Sequence, residues 1–328
     1  MSDTLFATRL NSFKVNEAQY WPGKNGKVTT LDVLERASTV IKLNAVDLNF
    51  PDHLSGHTEA EISEKLTSLG IHLNGYAMRY YSLPAFKSGA FTNPDKAVRQ
   101  AAIDLTKNGI DSLAKAGGSL MTLWMGQDGF DYSFQADYAR LWDDTIAAVQ
   151  EVADHNPAVD ISIEYKPNEP RSFSLMPDAA TTLLALKDVN RPNTGVTLDF
   201  AHVLYADEMP AYAAMLIHRH SRILGVHLND GYGKRDDGLM VGSVHPVQTI
   251  ELLHVLDKIG YSGAIYFDTF PDITGLDPVA ECTTNISTVE AMRKVVGRLR
   301  GNEILAAAIQ RQDAVTSQAI VQAALFGL

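Results

Sequence analysis

Eight times along the chain, a short run rich in β-branched and aromatic residues gives way to a longer run with helical spacing. The strand-like runs are 6–13, 45–50, 71–78, 119–125, 160–166, 194–200, 224–230 and 264–270. Helix-like runs fall between them at 30–43, 58–69, 94–116, 134–154, 178–188, 208–219 and 247–259. Strands and helices in strict alternation imply a parallel sheet, because a parallel neighbour needs a crossover long enough to hold a helix. Eight units close into a barrel more naturally than they extend an open sheet. No Gly-x-Gly-x-x-Gly and no Walker-type loop occurs, which removes the usual doubly wound nucleotide folds. The expected fold class is therefore α/β, a (β/α)₈ TIM barrel with a helical C-terminal extension. Residues 1–275 form the barrel in this reading, and 276–328 form the extension, with helices at 278–299, 302–311 and 314–326.

Alternation within the strands says which side chains face inward. In 160–166, Ser162, Glu164 and Lys166 share one face and Ile161 and Ile163 the other. Thr197 and Asp199 oppose Val196 and Leu198; His227 and Asn229 oppose Val226 and Leu228; Tyr266 and Asp268 oppose Ile265 and Phe267. The apolar faces meet the helices, and the polar faces line the interior. Charge gathers at the C-terminal ends of the strands, where barrel enzymes keep their active sites.

Four consecutive strands thus each end in a metal-ligand type: Glu164, Asp199, His227 and Asp268. Three carboxylates and one imidazole suit Mn²⁺ first, with Mg²⁺ or Co²⁺ as alternatives. Without a cation these acids repel one another across the barrel mouth. The chain has one cysteine, Cys282, so neither an intrachain disulfide nor a cysteine-rich zinc site is possible. A formal net charge of −11 argues against general nucleic-acid binding. No charged region followed by an apolar run opens the sequence, and no apolar stretch is long enough to span a bilayer, so a cytoplasmic protein without membrane contact is expected.

Glu164-Tyr165-Lys166-Pro167-Asn168-Glu169-Pro170 resembles the Glu-x-Lys-Pro-x-Glu-Pro segment of xylose isomerases and their relatives. Asp199-Phe200-Ala201-His202 is similar to that family's acid-x-x-His segment. His227-Leu228-Asn229-Asp230, the pair Asp236-Asp237, and Asp268 resemble its later ligand strands. The order resembles the L-rhamnose isomerase branch most, because the seventh strand supplies a histidine. The resemblance covers 160–270 well and the earlier barrel loosely. It implies a metal-dependent aldose–ketose isomerase acting on an unphosphorylated pentose, hexose or deoxyhexose. By the same resemblance, Glu164, Asp199, His227 and Asp268 hold the cation, while His202, Asp236 and Asp237 hold a second cation or a catalytic water. Lys166 serves the O1 side of the sugar; its structural alternative is an ion pair with Glu164 or Glu169.

Other polar and aromatic residues are expected nearby. Asp47, Asn49, His72 and Asn74 fall on inward faces, and His72 is a candidate ring-opening base or a hydrogen-bonded interior histidine. Trp124, with Trp21 and Tyr76, is a candidate aromatic wall against the sugar. Asn229 is a further candidate substrate contact. A ketose 3-epimerase on the same barrel is the first rival; epimerases of this kind use a glutamate pair, and here Asp268 stands at one of those positions. An abasic-site endonuclease expects more histidines and a basic groove, and a non-catalytic sugar-binding barrel leaves Lys166 unexplained. The apolar helices from 302 onward cover either the barrel itself or another copy, the latter giving a homodimer or homotetramer.

Overall fold

Parallel pairing runs almost completely round the molecule. The computed structural model describes residues 4–24 and 26–327. Its eight barrel strands are β1 (Phe6–Thr8), β2 (Ala45–Phe50), β3 (His72–Met78), β4 (Leu120–Leu123), β5 (Asp160–Glu164), β6 (Thr194–Asp199), β7 (Ile223–Leu228) and β8 (Ile265–Phe267). They are hydrogen-bonded in the order β1-β8-β7-β6-β5-β4-β3-β2. β1 and β2 close the ring through an isolated parallel bridge between Arg9 and Asp47. Asn44 completes that seam with its side chain. Its Oδ1 accepts from the Phe6 N–H at 2.8 Å, and its Nδ2 donates to the Thr4 carbonyl at 3.1 Å.

The outer ring consists of α1 (Thr30–Ala37), α2 (Glu59–Leu69), α3 (Lys96–Lys115), α4 (Tyr138–His155), α5 (Ala179–Val189), α6 (Pro210–His220), α7 (Pro246–Lys258) and α8 (Pro278–Leu299). Local sequence sets their starts. Thr29 with Asp32 and Thr58 with Glu61 form reciprocal capping boxes, and prolines open α6, α7 and α8. The helix at 278–299, grouped by sequence with the extension, packs as the eighth of the ring. Cys282, Ile286, Val289 and Val296 enter the main core with the barrel's other apolar residues. Beyond it lie α9 (Glu303–Gln310) and α10 (Ala314–Phe326). Ile320, Val321, Ala324 and Leu325 of α10 pack on the same core, while Ile304, Ile309, Val315 and Phe326 remain exposed. Among the described residues, no helix is long and apolar enough to cross a membrane.

Two register shifts interrupt the regular alternation. Val46 pairs with Leu73 but Asp47 with Gly75, leaving Asn74 as an extra residue in β3. Val196 pairs with Ile223 but Thr197 with Gly225, leaving Leu224 extra in β7. Each bulge is followed by a glycine where neighbours come close: a Cβ on Gly75 would lie 2.6 Å from the Leu120 carbonyl oxygen, and one on Gly225 would lie 2.7 Å from Thr197 Oγ1. The bulge in β3 reverses which side chains look inward beyond it. Tyr76 turns outward and stacks on Phe50 with ring centroids 6.1 Å apart, whereas Ala77 and Arg79 line the mouth.

Candidate active site

At the C-terminal end of the barrel, one ligand atom from each of Glu164, Asp199, His227 and Asp268 falls within 4.8 Å of the other three. Glu164 ends β5 and Asp199 ends β6; Asp268 directly follows β8, and His227 is the penultimate residue of β7. Their common height follows from parallel pairing, with Asp199 opposite His227 and Tyr266 beside His227 across the β7–β8 ladder. Asp199 also caps the one-turn helix Phe200–Tyr205, its Oδ1 accepting from the His202 N–H at 3.0 Å. Its other oxygen is thereby turned toward His227, 3.8 Å away. His227 Nδ1 lies 3.4 Å from Glu164 Oε1 and is buried without a hydrogen-bond partner among the described residues.

Crowding of acids sets the electrostatics. Burial lifts the Asp199 carboxyl to about 7 even though His202 pulls it down, and Asp236, Asp268 and Glu164 push it further up. Burial together with the Glu164 charge raises Asp268. At Glu164 burial also pushes upward, but His227 and His202 outweigh it and hold the group at about 2. Burial opposes a charge on His227, yet Glu164, Asp268 and Asp199 raise it to about 9. Four groups in this arrangement share protons readily and offer oxygen and nitrogen lone pairs to a common centre.

A second cluster adjoins the first. His202 Nδ1 donates to the Tyr165 carbonyl at 3.0 Å, and its Nε2 lies 3.2 Å from Asp236 Oδ2. Lys166 Nζ sits 3.1 Å from the same Asp236 oxygen and 2.9 Å from Glu169 Oε2. Burial works against both cations, but Asp199 and Asp236 raise His202 to about 10, and Asp236 and Glu169 keep Lys166 protonated. Burial alone would raise Asp236; His202 and Lys166 hold it low instead. Its Oδ1 is buried and has no hydrogen-bond partner among the described residues. Lys166 Nζ also lies 5.5 Å from the Trp124 ring centroid. Both clusters open into one cavity of about 290 Å³, which Arg9, Asp47, Arg79, Tyr81 and Trp124 also line.

The remaining sequence candidates divide. Trp124 faces the cavity, but the proposed aromatic wall is made with Tyr81, 5.0 Å between centroids, not with Trp21 or Tyr76. Trp21 packs at the side, beside Tyr20 and Arg36. His72 is exposed at the first position of β3, at the end of the barrel opposite the site, so ring opening does not fall to it. Asp237 lies off the cavity: its oxygens accept from the Tyr232 N–H at 2.8 Å and from Arg235 Nε at 2.7 Å, which fixes the loop. Asn229 is wholly buried and works behind the site. Its Nδ2 donates to both Asp199 oxygens, at 3.2 and 3.1 Å, and to the Asp268 carbonyl at 3.1 Å. Asp47 does face the cavity, with Asn74 Nδ2 donating to it at 2.7 Å, and burial lifts it to about 6.

Arg9 and Arg79 are cavity residues that the sequence reading passed over. Each is the first residue after its strand, β1 and β3, and that position was the available signal. Treating 6–13 as one strand buried Arg9 mid-element, whereas the chain leaves β1 at Thr8 and enters a 3₁₀ turn at Leu10.

Barrel, acid cluster and cavity together define a (β/α)₈ barrel with a candidate metal site at the C-terminal mouth. The chain belongs to the Xylose isomerase-like TIM barrel family, whose profile matches residues 39–286. It is 28% identical over 209 residues to the xylose isomerase of Thermus thermophilus, a match covering 62% of this chain and 54% of that one, so it spans about half the length of that relative. Among solved structures, an L-ribulose 3-epimerase superposes with a TM-score of 0.69 at 17% identity, over 91% of this chain and 98% of the other. A D-tagatose 3-epimerase-like protein gives 0.68 at 18% identity, over 82% and 97%. At such identities the likeness speaks for the fold. No L-rhamnose isomerase is among these relatives, so the nearness to that branch rests on the residues alone.

Proposed function

We propose that this protein is a divalent-metal-dependent isomerase that interconverts an aldose and a ketose, in the manner of the L-rhamnose isomerase branch. The observation that carries the reading is the Lys166–Asp236–His202 cluster beside Glu164, Asp199, His227 and Asp268, both open to one cavity. The tetrad fits a cation: three carboxylates and an imidazole offer a hard donor set, and the buried His227 Nδ1 has no other partner among the described residues. Mn²⁺ is our first choice, ahead of Mg²⁺ and Co²⁺. When bound, such a cation polarises a carbonyl and stabilises charge developing on neighbouring sugar oxygens.

The chain's own groups do the rest. Lys166, kept as an ammonium by Asp236 and Glu169, donates from Nζ to the oxygen on C1. Asp236 Oδ1 is free to take the proton of the C2 hydroxyl as the hydrogen on C2 moves to C1, and a proton returned to the C1 oxygen completes the exchange, while Oδ2 stays tied to Lys166 and His202. His202 is locked at both ring nitrogens and orients Asp236. Trp124 and Tyr81 give the apolar faces of the sugar a wall and exclude water. The exposed Ile304, Ile309, Val315 and Phe326 are, in this reading, contacts between copies in a homodimer or homotetramer, which light scattering reads directly.

A ketose 3-epimerase is the second reading. The epimerase fold likeness spans nearly the whole of those chains, whereas the xylose isomerase match covers about half of its own. Glu164 and Asp268 would then exchange the proton on C3, and Lys166 would be an ion-pair partner only. The deciding experiment incubates the Mn²⁺-loaded protein with matched aldoses and ketoses and separates the products. Aldose from a ketose supports the isomerase; a second ketose with no aldose replaces it by the epimerase.

A further inference from the structure

Arg79 is a cation with no ion-pair partner among the described residues. It follows β3 directly, its N–H donates to the Phe50 carbonyl at 3.0 Å, and its side chain lines the cavity. Among the described residues it makes no ion pair, and its Nε is buried with no hydrogen-bond partner. The guanidinium lies 5.3 Å from the Tyr81 ring centroid, which satisfies one face and leaves the in-plane N–H groups without a side-chain partner among the described residues. Asp52 feels its charge but is exposed and unpaired with it. His53 brings no second cation: burial, then Arg79, drives it down to about 3. The cavity's other cations are engaged, His202 on Asp236 among them. Arg9 is on Asp272 at 2.7 Å and near Asp268 at 4.0 Å, and Lys166 is on Asp236 and Glu169.

Tyr81 and Trp124 connect the two ends of this wall. Arg79 sits against Tyr81, Tyr81 packs edge-on to Trp124, and Trp124 carries Lys166. Lys166 serves the carbonyl end in the isomerase reading, on which this inference rests. A guanidinium at one end of this chain of contacts, with its Nε unpartnered and no acid in hydrogen-bond reach among the described residues, is a site for an anion on the substrate, although Glu164 also feels its charge. The geometry points to a sugar acid as substrate: an open-chain aldose or ketose whose terminal carboxylate is held by Arg79 while its carbonyl end lies at Lys166 and the tetrad. A planar fork of donors matches a carboxylate in two parallel hydrogen bonds. A phosphate dianion would carry more charge into a cavity already lined by Asp47, Glu164, Asp236 and Asp268, with one free guanidinium to offset it.

The test uses the full chain loaded with Mn²⁺. Calorimetry compares D-gluconate with D-glucitol and D-glucitol 6-phosphate, and turnover compares D-glucuronate with D-glucose and D-galacturonate with D-galactose. The acid should be favoured by about tenfold to a hundredfold in each pair, the scale of a hydrogen-bonded charge pair. Arg79→Met should close the gap, and Arg79→Lys should keep part of it, with Mn²⁺ content and circular dichroism confirming intact protein. The inference is overturned by three results: no preference for the acid in the wild type, a preference that survives in Arg79→Met because the carboxylate sits on the cation instead, or a phosphate bound more tightly than the carboxylate. Arg79-dependent gluconate binding without turnover of any sugar would keep the anion site and reject the isomerase.

Discussion

The two halves of the barrel mouth are built differently. β5, β6 and β8 pair without an extra residue of their own and β7 is regular beyond its bulge at Leu224, and each delivers an acid or an imidazole to one centre. β1 to β3 deliver Arg9, Asp47 and Arg79, across a seam closed by a side chain and a strand broken by a bulge at Asn74. The acid half gathers negative charge at one point, where a bound cation would discharge it. The other half adds two arginines to the cavity, Arg9 paired with Asp272 and Arg79 against Tyr81. In the proposed function, the first half would hold the reaction centre and the second would choose what reaches it.

The largest expected effect tests the acid half. Asp268→Ala removes one carboxylate and leaves the other acids repelling one another, so Mn²⁺ content should fall and activity should drop by about a thousandfold or more. The helical signal should persist, because the core lies beneath the site. Full metal content with full activity in that variant would place the centre elsewhere.

Lys166→Met comes next and belongs to neither half, since it lies between the tetrad and the wall. Metal content should hold while kcat falls by about a hundredfold to a thousandfold, the scale of a lost charge-stabilising donor. Normal turnover would reduce Lys166 to the partner of Asp236 and Glu169 and favour the epimerase.

The proton inventory of the acid half gives a smaller, graded effect. In the metal-free protein His227 is raised from 6.5 to about 9 and Asp199 to about 7. The raised His227 steadies the metal-free fold below pH 6.5 and loses that contribution as pH climbs through about 9. A cation competes with the same proton, so its affinity should climb over that window. Binding should release about one proton at pH 8 and closer to about two at pH 6, measured by calorimetry in buffers of different ionisation enthalpy. Release of no proton at pH 8 would remove His227 from the ligand set.

The smallest effect is on the seam. Asn44→Ala removes the acceptor for the Phe6 N–H and the donor to the Thr4 carbonyl. It should cost about 1–3 kcal/mol in denaturant unfolding while Mn²⁺ affinity changes little. A loss of metal binding equal to that of Asp268→Ala would show that the two halves are not separable.

Legibility in the sequence followed the same division. Glu164, Asp199, His227 and Asp268 could be placed on one rim because their strands keep a two-residue period to the end. The helix read at 278–299 is found with those bounds, opened by an Asp277 cap before Pro278. In β3 the same period misled: counting inward from His72 predicts Tyr76 at the mouth, and the extra Asn74 puts Ala77 and Arg79 there instead. Nothing local announces that bulge except Gly75, whose reason is the backbone of β4, a tertiary fact. Asp237 shows a second limit, since two adjacent acids in a loop look alike until the backbone sends Asp236 inward and Asp237 to Arg235.

The pairing of β1 with β8 has a consequence for how the protein comes into being. Phe6 lies opposite Ile265, so the first strand made must wait for the last before it gains a neighbour on that side. Contacts of such sequence separation form late, after loop closure has become worthwhile. Arg9 and Asp268 flank this junction, so the chain assembles most of its helices before the reaction centre has all its parts. A nascent or refolding molecule should therefore acquire its helical signal first and its capacity to take up Mn²⁺ only with the final step, which makes metal capture a direct clock for ring closure.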